Sequence, residues 1–416
     1  MNPNDPTATT AQPGCASQDG GAMPLEAHAC AGSAAAAVAP APRTKVEAGR
    51  LIELLANRGF ARVEPPVLQP LEPFLDLSGE DLRRRMFVTV DANGHELCLR
   101  PEYTIPVSRL HLARPDAPSS AAYAYLGPVF RFRQGETGEF AQAGIEDFGR
   151  EDRAAADAEI LDVALEALNE LGAGAISTVI GDVGLFTSLV AAMRLSGSIA
   201  RRLKRGYAAG KTGARALGTL SSPGPAEIRH AGLLAALQGQ DPAAAQLFVE
   251  DILKIAGIST LGGRSANQIA ARFLEQASSE PSGLSSEQVE MFERFLAIAG
   301  HPDDVADALR AFADDTRLDL ASAIDRLEIR TGFMEARGID LASLRHATAF
   351  GRNLDYYTGF VFEIRNAGRP DSKPLVGGGR YDGLLRRLGA ASDVPAVGCS
   401  IWLDRIVADE AAACVP

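Results

Sequence analysis

The chain has 416 residues, of which 46% are hydrophobic and 23% are charged, as in an average soluble globular protein. This composition supports a sizeable core and excludes a collagen-like or wholly disordered chain. The formal net charge of −12 disfavours tight, sequence-independent binding to nucleic acid. No stretch approaches the roughly 20 consecutive apolar residues of a membrane span, so we expect no membrane association.

Cysteine and histidine usage gives no sign of a metal site. The five cysteines are scattered and form no CxxC pair, and the six histidines contain no HExxH spacing. These patterns disfavour a disulfide framework and a zinc centre. We therefore expect reduced thiols, a cytoplasmic protein, and neither a bound metal nor another cofactor.

Residues 1–43 differ from the rest of the chain. They are rich in Ala, Pro, Gly and Ser, lack aromatic residues, and contain Arg43 as their one Lys or Arg. Such a segment buries too little apolar area to offset the entropy of ordering it. It also lacks the basic and apolar regions of a secretory signal and the arginines of a transit peptide. We predict a disordered leader.

The predicted elements begin with a helix at Thr44, where Thr44 and Glu47 have the spacing of a capping box. Gly59 is expected to end that helix. Asn93-Gly94 predicts a hairpin turn between the strands that flank it. Strand-like patterns occur at Arg62–Val67, Met86–Val90, His95–Leu99, Ala121–Tyr125, Val129–Arg133, Ala143–Phe148 and Ile176–Ile180. A helix is predicted over Ala154–Leu171.

The pattern changes to helices and short turns over residues 196–346, with predicted helices at Pro242–Ile255, Ser286–Ala299 and Asp303–Ala313. Strand-rich patterns return at Ala349–Glu363 and Pro374–Tyr381. Hairpins and antiparallel strands with helices outside them indicate an α+β fold. The sequence therefore predicts one α+β core, residues 44–195 and 347–416, interrupted by a helical insertion.

Three clusters of residues contain the groups needed to bind a small zwitterion with a polar ring. The first runs from Arg100 to Thr104 and places Glu102 and Thr104 as acceptors for an ammonium group, on a helix expected to start at Pro101. The second contains Arg131, Gln142 and Glu146. The third runs from Gly351 to Glu363 and continues at 377–383, where Arg352 would bind a carboxylate or phosphate. Glycines 377–379 would let the backbone approach a ligand.

These clusters resemble the catalytic core of histidyl-tRNA synthetase, a class II aminoacyl-tRNA synthetase. Residues 100–104 resemble its Arg-Pro-Glu-Gly-Thr segment, 127–131 its motif 2, and 352–363 its Arg-Gly-Leu-Asp-Tyr-Tyr block, with Asn353 in place of glycine. Residues 377–384 match its Gly-Gly-Gly-Arg-Tyr-Asp-Gly-Leu, and 398–405 resemble motif 3. The resemblance implies an antiparallel sheet flanked by helices. It also implies a histidine pocket formed by Glu102, Thr104, Gln142, Glu146, Arg352, Tyr356, Tyr357 and Tyr381, with vestigial phosphate-binding positions at Arg131 and Arg405.

The departures from that family affect its nucleotide site. Arg133 stands where the synthetases have a glutamate, and the loop over 135–140 is a few residues shorter. Trp402, the one tryptophan of the chain, replaces a glycine beneath the nucleotide, where an indole would fill the space that adenine and ribose need. Asp404 is one methylene shorter than the family's glutamate. Eleven residues follow Arg405, from which we expect no anticodon-binding domain.

A histidine pocket without a nucleotide site resembles the regulatory-subunit family of ATP phosphoribosyltransferase, which acts in the first step of histidine biosynthesis. The resemblance implies a non-catalytic subunit that binds L-histidine and mediates activation and feedback inhibition of the short catalytic subunit. It also implies that the chain forms a dimer within a hetero-oligomer, namely a hetero-octamer, and that it does not bind tRNA.

Two alternatives remain open from the residues. Arg131, Arg352 and Arg405 are also compatible with a truncated histidyl-tRNA synthetase or a histidine-adenylating paralogue. The basic run over 201–205 is compatible with a tRNA-binding module, although such a run is more typical of a solvated helix face.

Overall fold

The computed structural model describes residues 42–77, 80–114, 119–133, 137–208, 284–352, 354 and 356–406. The predicted leader up to residue 41 and the predicted helix Pro242–Ile255 lie outside these residues, as does Asn353.

The described helices are α1 (Pro42–Asn57), α2 (Glu72–Leu77), α3 (Glu80–Arg83), α4 (Thr104–Leu112), α5 (Arg153–Glu170), α6 (Val183–Ala192), α7 (Gly197–Ala208), α8 (Ser286–Leu296), α9 (Pro302–Thr316), α10 (Ala321–Ala336) and α11 (Leu384–Arg387). The strands are β1 (Ala61–Arg62), β2 (Leu68–Pro70), β3 (Val88–Val90), β4 (Glu96–Leu99), β5 (Ala121–Phe130), β6 (Glu139–Phe148), β7 (Ile176–Asp182), β8 (Ala299–Gly300), β9 (Leu344–Ala347), β10 (Phe360–Asn366), β11 (Val376–Arg380) and β12 (Ala396–Trp402).

The large sheet of the described chain has nine strands in the order β1-β5-β6-β12-β11-β10-β7-β9-β8. The six strands from β5 to β7 in this order pair antiparallel, which confirms the predicted α+β class. The pairs β1–β5 and β7–β9 are parallel, so the sheet is mixed at its edges. Strands β8 and β9 come from the region predicted as an insertion, and they continue the sheet of the core.

A second, three-stranded sheet of the described chain has the order β2-β4-β3. The β3–β4 pair is the predicted hairpin, and Gly94 adopts a φ of 85° at its turn, which confirms the Asn93-Gly94 prediction. The strand predicted at Arg62–Val67 is wrong, since residues 63–66 are irregular between the two-residue strand β1 and strand β2. The two strands predicted within 121–133 form one continuous strand, β5.

Helix boundaries follow local capping only in part. Helix α1 begins at Pro42 rather than Thr44, so the predicted capping box is inside the helix. It does end as predicted, because Gly59 has a φ of 89° and the N–H of Phe60 donates to the carbonyl of Leu55, which is a Schellman end. Helix α4 begins at Thr104 and not at Pro101, since the Glu102 carboxylate accepts the N–H groups of Thr104 and Ile105.

Three apolar clusters fill the described fold. One lies between the sheet and helices α1 and α5, and includes Ile145, Ile160 and Phe362. A second lies on the opposite face and includes the rings of Tyr103, Tyr125 and Trp402. The third joins helices α6 to α9 with the first half of α10, and we call this group of helices the helical module. None of the described helices has the length and apolar character needed to cross a bilayer.

Candidate functional site

A cavity of about 380 Å³ opens on the face of strands β6, β11 and β12. Every residue predicted to bind histidine lines it except Glu146, and Arg131 of the two predicted phosphate positions lines it as well. Glu146 contacts the lining residues Thr104 and Tyr381, and the Arg405 guanidinium stacks on Trp402. The structure thus brings together residues that are widely separated along the chain.

Glu146 is a buried acceptor directly behind two lining residues, Thr104 and Tyr381. Its Oε1 accepts a hydrogen bond from Thr104 Oγ1 at 2.8 Å, and its Oε2 accepts one from the hydroxyl of Tyr381. Burial raises the pKa of Glu146 to about 8, although the hydrogen bonds from Tyr381 and Thr104 oppose that shift. Burial of this carboxyl group thus favours its protonated form.

A second buried carboxyl group, Glu102, lies at the start of helix α4. Its oxygens accept the N–H of Thr104 at 2.8 Å and the N–H of Ile105 at 2.9 Å. Burial raises the pKa of Glu102 above its usual range, while these N–H donors oppose the shift. Glu102 thus both caps the helix and presents Thr104 to Glu146.

Arg352 lies on the opposite side of the cavity. Its Nη1 is 3.1 Å from the carbonyl oxygen of Phe362 and 3.1 Å from Glu363 Oε1. Glu363 also pairs with Arg365, with 2.8 Å between its Oε2 and the Nη2. The Nε atom of Arg352 is buried and has no hydrogen-bond partner within the described residues.

Three tyrosines line the space between the carboxyl groups and Arg352. The ring of Tyr356 contacts those of Tyr357 and Tyr381, with centroids 5.1 Å and 5.7 Å apart. Burial raises the pKa of Tyr357 to about 12, so its hydroxyl stays protonated. The tyrosines therefore offer hydroxyl groups and ring edges to a ligand at neutral pH.

Two glycines allow the charged side chains to lie against the sheet. Gly398 pairs with Glu146 across strands β12 and β6, and a Cβ at Gly398 would come within 1.9 Å of Glu146 Oε2. A Cβ at Gly377 would come within 1.8 Å of Arg352 Nη1. Both distances are far below any real contact, so each glycine is required for the position of its charged neighbour.

Arg131, Trp402 and Arg405, from the motif 2-like and motif 3-like segments, lie at one end of the site. Arg131 Nε donates to the carbonyl of Pro101 at 2.6 Å, and the Arg405 guanidinium is stacked 4.1 Å from the Trp402 ring centroid. Burial lowers the pKa of both arginines to about 10. The Trp402 ring is buried and lines the cavity.

Arg133 and Asp404, two of the departures from the synthetase pattern, lie next to each other. Arg133 Nη1 is 3.7 Å from Asp404 Oδ2, and the Arg133 guanidinium is 3.5 Å from the centroid of the Phe140 ring. The cation that replaces the family's glutamate is thus held by a carboxylate and an aromatic face.

The cavity is suited to binding a compact dipolar ligand. Glu102, Thr104 and Glu146 stand on one side and Arg352 on the other, with Arg131 next to Glu102 and Glu363 next to Arg352. Gln142 Oε1 is buried beside the cavity and lacks a partner in the described part of the chain. Such an unpaired acceptor is costly unless a ligand or water satisfies it.

Several residues at this site were not predicted. Glu363, Arg365 and Ser400 also line the cavity. Glu363 stands at the end of the block at 352–363, and Ser400 lies within the motif 3-like segment. Their position in those segments was the available signal. Nothing in the sequence singled out Arg365.

Comparison with known proteins identifies the class of this fold. The family model of histidyl-tRNA synthetase matches residues 38–254 and 248–406. A solved regulatory subunit/histidyl-tRNA synthetase of Bacillus halodurans is similar, with a TM-score of 0.61 and 22% identity over 88% of this chain and 78% of that chain. A histidyl-tRNA synthetase of Nostoc sp. PCC 7120 gives a TM-score of 0.59 and 19% identity over 89% and 72%. The fold is that of the histidyl-tRNA synthetase-like proteins.

Curated relatives are more similar. The ATP phosphoribosyltransferase regulatory subunit of Allorhizobium ampelinum is 41% identical over 86% of this chain and 96% of that protein. That of Rhizobium rhizogenes is 40% identical over 88% and 98%. The chain belongs to the family of ATP phosphoribosyltransferase regulatory subunits.

Proposed function

We propose that this chain binds L-histidine in the cavity and relays its occupancy to the short catalytic subunit of ATP phosphoribosyltransferase, without catalysing a reaction itself. The observation that carries the proposal is a cavity lined by acceptors and a guanidinium group, in which the buried indole of Trp402 is part of the lining. Glu102, Thr104 and Glu146 supply acceptors on one side, and Arg352 supplies a cation on the other. Trp402 occupies the nucleotide end.

Each part of histidine matches a group in the cavity. The α-ammonium and the imidazole N–H are donors that match the Glu102 and Glu146 side, and the α-carboxylate matches a guanidinium fork. The eight residues that the resemblance implies for the histidine pocket keep that role in the proposal. Arg131 and Arg405 remain as former phosphate positions.

Loss of adenylation is supported by the contacts at the nucleotide end. The indole of Trp402 fills space there, and Arg405 stacks on it. Arg133 pairs with Asp404 at the position where the synthetases present an acceptor. A rival function, histidine adenylation, is favoured by the retention of Arg131, Arg352 and Arg405.

The regulatory role requires partners. By its family the chain acts with a catalytic ATP phosphoribosyltransferase subunit, and we propose a dimer of this chain within a hetero-octamer. The thiols of Cys98 and Cys399 are buried and free, in keeping with a cytoplasmic setting.

Isothermal titration calorimetry with L-histidine and with ATP tests the proposal. We expect L-histidine to bind and ATP not to bind, with or without histidine. Histidinol, which lacks the carboxylate, is the matched ligand control and is expected to bind more weakly because Arg352 loses its partner. Histidine-dependent exchange of pyrophosphate into ATP would contradict the proposal and support the adenylating alternative.

A further inference from the structure

Five charged side chains form the inner part of an ion network behind the cavity, and the exposed Arg153 pairs with Asp382 at its edge. The five are Asp157, Asp182, Arg330, Arg380 and Asp382. Asp157 is shared by the two arginines, since its Oδ1 accepts from Arg380 Nε at 2.8 Å and its Oδ2 accepts from Arg330 Nη1 at 3.4 Å. Arg330 Nη2 donates to Asp182 Oδ2 at 2.8 Å, and Arg380 Nη1 donates to Asp382 Oδ1 at 2.8 Å.

The network joins parts of the fold that are distant in sequence. Arg330 belongs to helix α10 and Asp157 to helix α5, and the two are 173 residues apart. Asp182 ends strand β7 and also caps helix α6, where it accepts the N–H of Gly184 at 2.6 Å. Arg380 ends strand β11. Apart from Asp382, the members are less than a tenth exposed.

Arg330 stands where helix α10 passes from one apolar cluster to another. The earlier residues Ala323, Ile324 and Leu327 pack in the helical module. Met334, one turn after Arg330, packs in the cluster between the sheet and α5. A rigid helix that is part of two cores transfers a displacement of one to the other.

The other end of the network contains Arg380 and Asp382, the two chain neighbours of the cavity residue Tyr381. Asp382 Oδ1 accepts the N–H of Ala396 at 2.9 Å, and the N–H of Tyr381 donates to the carbonyl of Ala396 at 2.7 Å. The hydroxyl of Tyr381 donates to Glu146. A ligand that competes for Glu146 therefore acts on a residue anchored to the network.

The geometry depends on the guanidinium fork of Arg330. Its two terminal nitrogens address two different carboxylates, Asp157 and Asp182, and its Cζ lies 4.8 Å from the centroid of the Phe360 ring. A lysine keeps the charge but cannot hold both carboxylates in fixed directions. Replacing Arg330 by lysine therefore changes the geometry of the network and keeps its net charge.

We propose that Arg330 is a positioning residue that couples histidine occupancy at Tyr381 to the arrangement of the helical module, so that the module carries the regulatory signal. This inference rests on the proposed binding of histidine. It requires two arrangements of the helical module, one of which binds histidine more tightly than the other. The ion network is the rigid link between Tyr381 and the module.

Amide hydrogen exchange on the full chain, with and without saturating L-histidine, tests the link. In the wild-type chain we expect histidine to slow exchange both around Tyr381 and in helix α9 of the module. In the variant Arg330→Lys we expect slowing around Tyr381 and loss of the response in α9. The matched control is Arg326→Lys, an exposed arginine on the same helix, which is expected to respond like the wild type.

The outcomes separate the two proposals. Slowing in α9 that is equal in Arg330→Lys and the wild type, or wild-type slowing confined to the pocket, overturns the coupling and leaves histidine binding intact. No slowing around Tyr381 in the wild type overturns histidine binding and the coupling with it. If the thermal midpoint of Arg330→Lys is lowered, the variant Asp382→Asn is used instead. It breaks the opposite end of the network at a partly exposed site. We expect it to lose the exchange response of α9 in the same way.

Discussion

The guanidinium of Arg352 lies directly on the backbone of Gly377, so that an added Cβ would come within 1.8 Å of its Nη1. Gly377 is opposite Glu363 in the neighbouring strand β10, and Glu363 holds the same guanidinium. The glycine and the carboxylate together determine where the cationic side of the cavity is.

Replacing Gly377 by alanine should therefore displace Arg352. We expect the free energy of unfolding to fall by about 1–3 kcal/mol from the overlap, and histidine affinity to fall about tenfold or more as the charge-assisted bond is lost. Calorimetry and chemical denaturation measure the two effects. Gly174→Ala is the control, since no atom lies within 4 Å of its added Cβ. Wild-type affinity in Gly377→Ala would contradict the assignment of Arg352.

Truncation of Glu146 should remove the buried acceptor behind Thr104 and Tyr381. We expect Glu146→Ala to weaken histidine binding by about 1–3 kcal/mol, because a buried donor of the ligand loses its partner. Glu139→Ala, at an exposed position of the same strand, should bind like the wild type. Unchanged affinity of Glu146→Ala by calorimetry would place the histidine elsewhere.

The raised pKa of Glu146 should make the stability of the chain depend on pH. In the unfolded chain this carboxyl ionises near its usual pKa of 4.5, whereas burial raises its folded pKa to about 8. Between these values the folded chain binds more protons, so its contribution to stability is present at low pH and is lost as pH rises toward 8. Denaturation curves should show a smaller decline over this range in Glu146→Gln than in the wild type. Equal declines would rule out Glu146 as the titrating group.

Trp402→Gly should enlarge the cavity without restoring adenylation. The Arg133–Asp404 pair remains in this variant, so the acceptor that the synthetases place after motif 2 is still missing. Histidine-dependent ATP–pyrophosphate exchange is the measurement, and Trp402→Phe, which keeps a large ring, is its control. Exchange recovered by Trp402→Gly alone would show that Trp402 is the whole obstacle.

The features that were predictable depend on local geometry or on contiguous motifs. Gly59 and Gly94 adopt positive φ values that few other residues tolerate, so a helix end and a hairpin were visible from single residues. Most of the cavity residues lie in three short segments that resemble a known family, and this resemblance predicted that they form one pocket. Their roles toward histidine stay predictions.

The features that were not predictable arise from contacts across the fold. Helix α4 starts at Thr104 because the carboxylate of Glu102 turns forward to cap it, which overrides the preference of Pro101 for a first position. The parallel pairing of β9 with β7 follows from tertiary placement of a short segment. The bond between Arg330 and Asp157 joins two ordinary helix residues whose spacing gives no signal.

The most direct test of the regulatory role is phosphoribosyl transfer from phosphoribosyl pyrophosphate to ATP by a short-form catalytic subunit. The reaction would be followed with and without this chain, and with added L-histidine. We predict that the chain raises the rate and that histidine lowers it, while Glu146→Ala still raises the rate but needs more histidine for inhibition. A rate that neither the chain nor histidine changes would contradict the account.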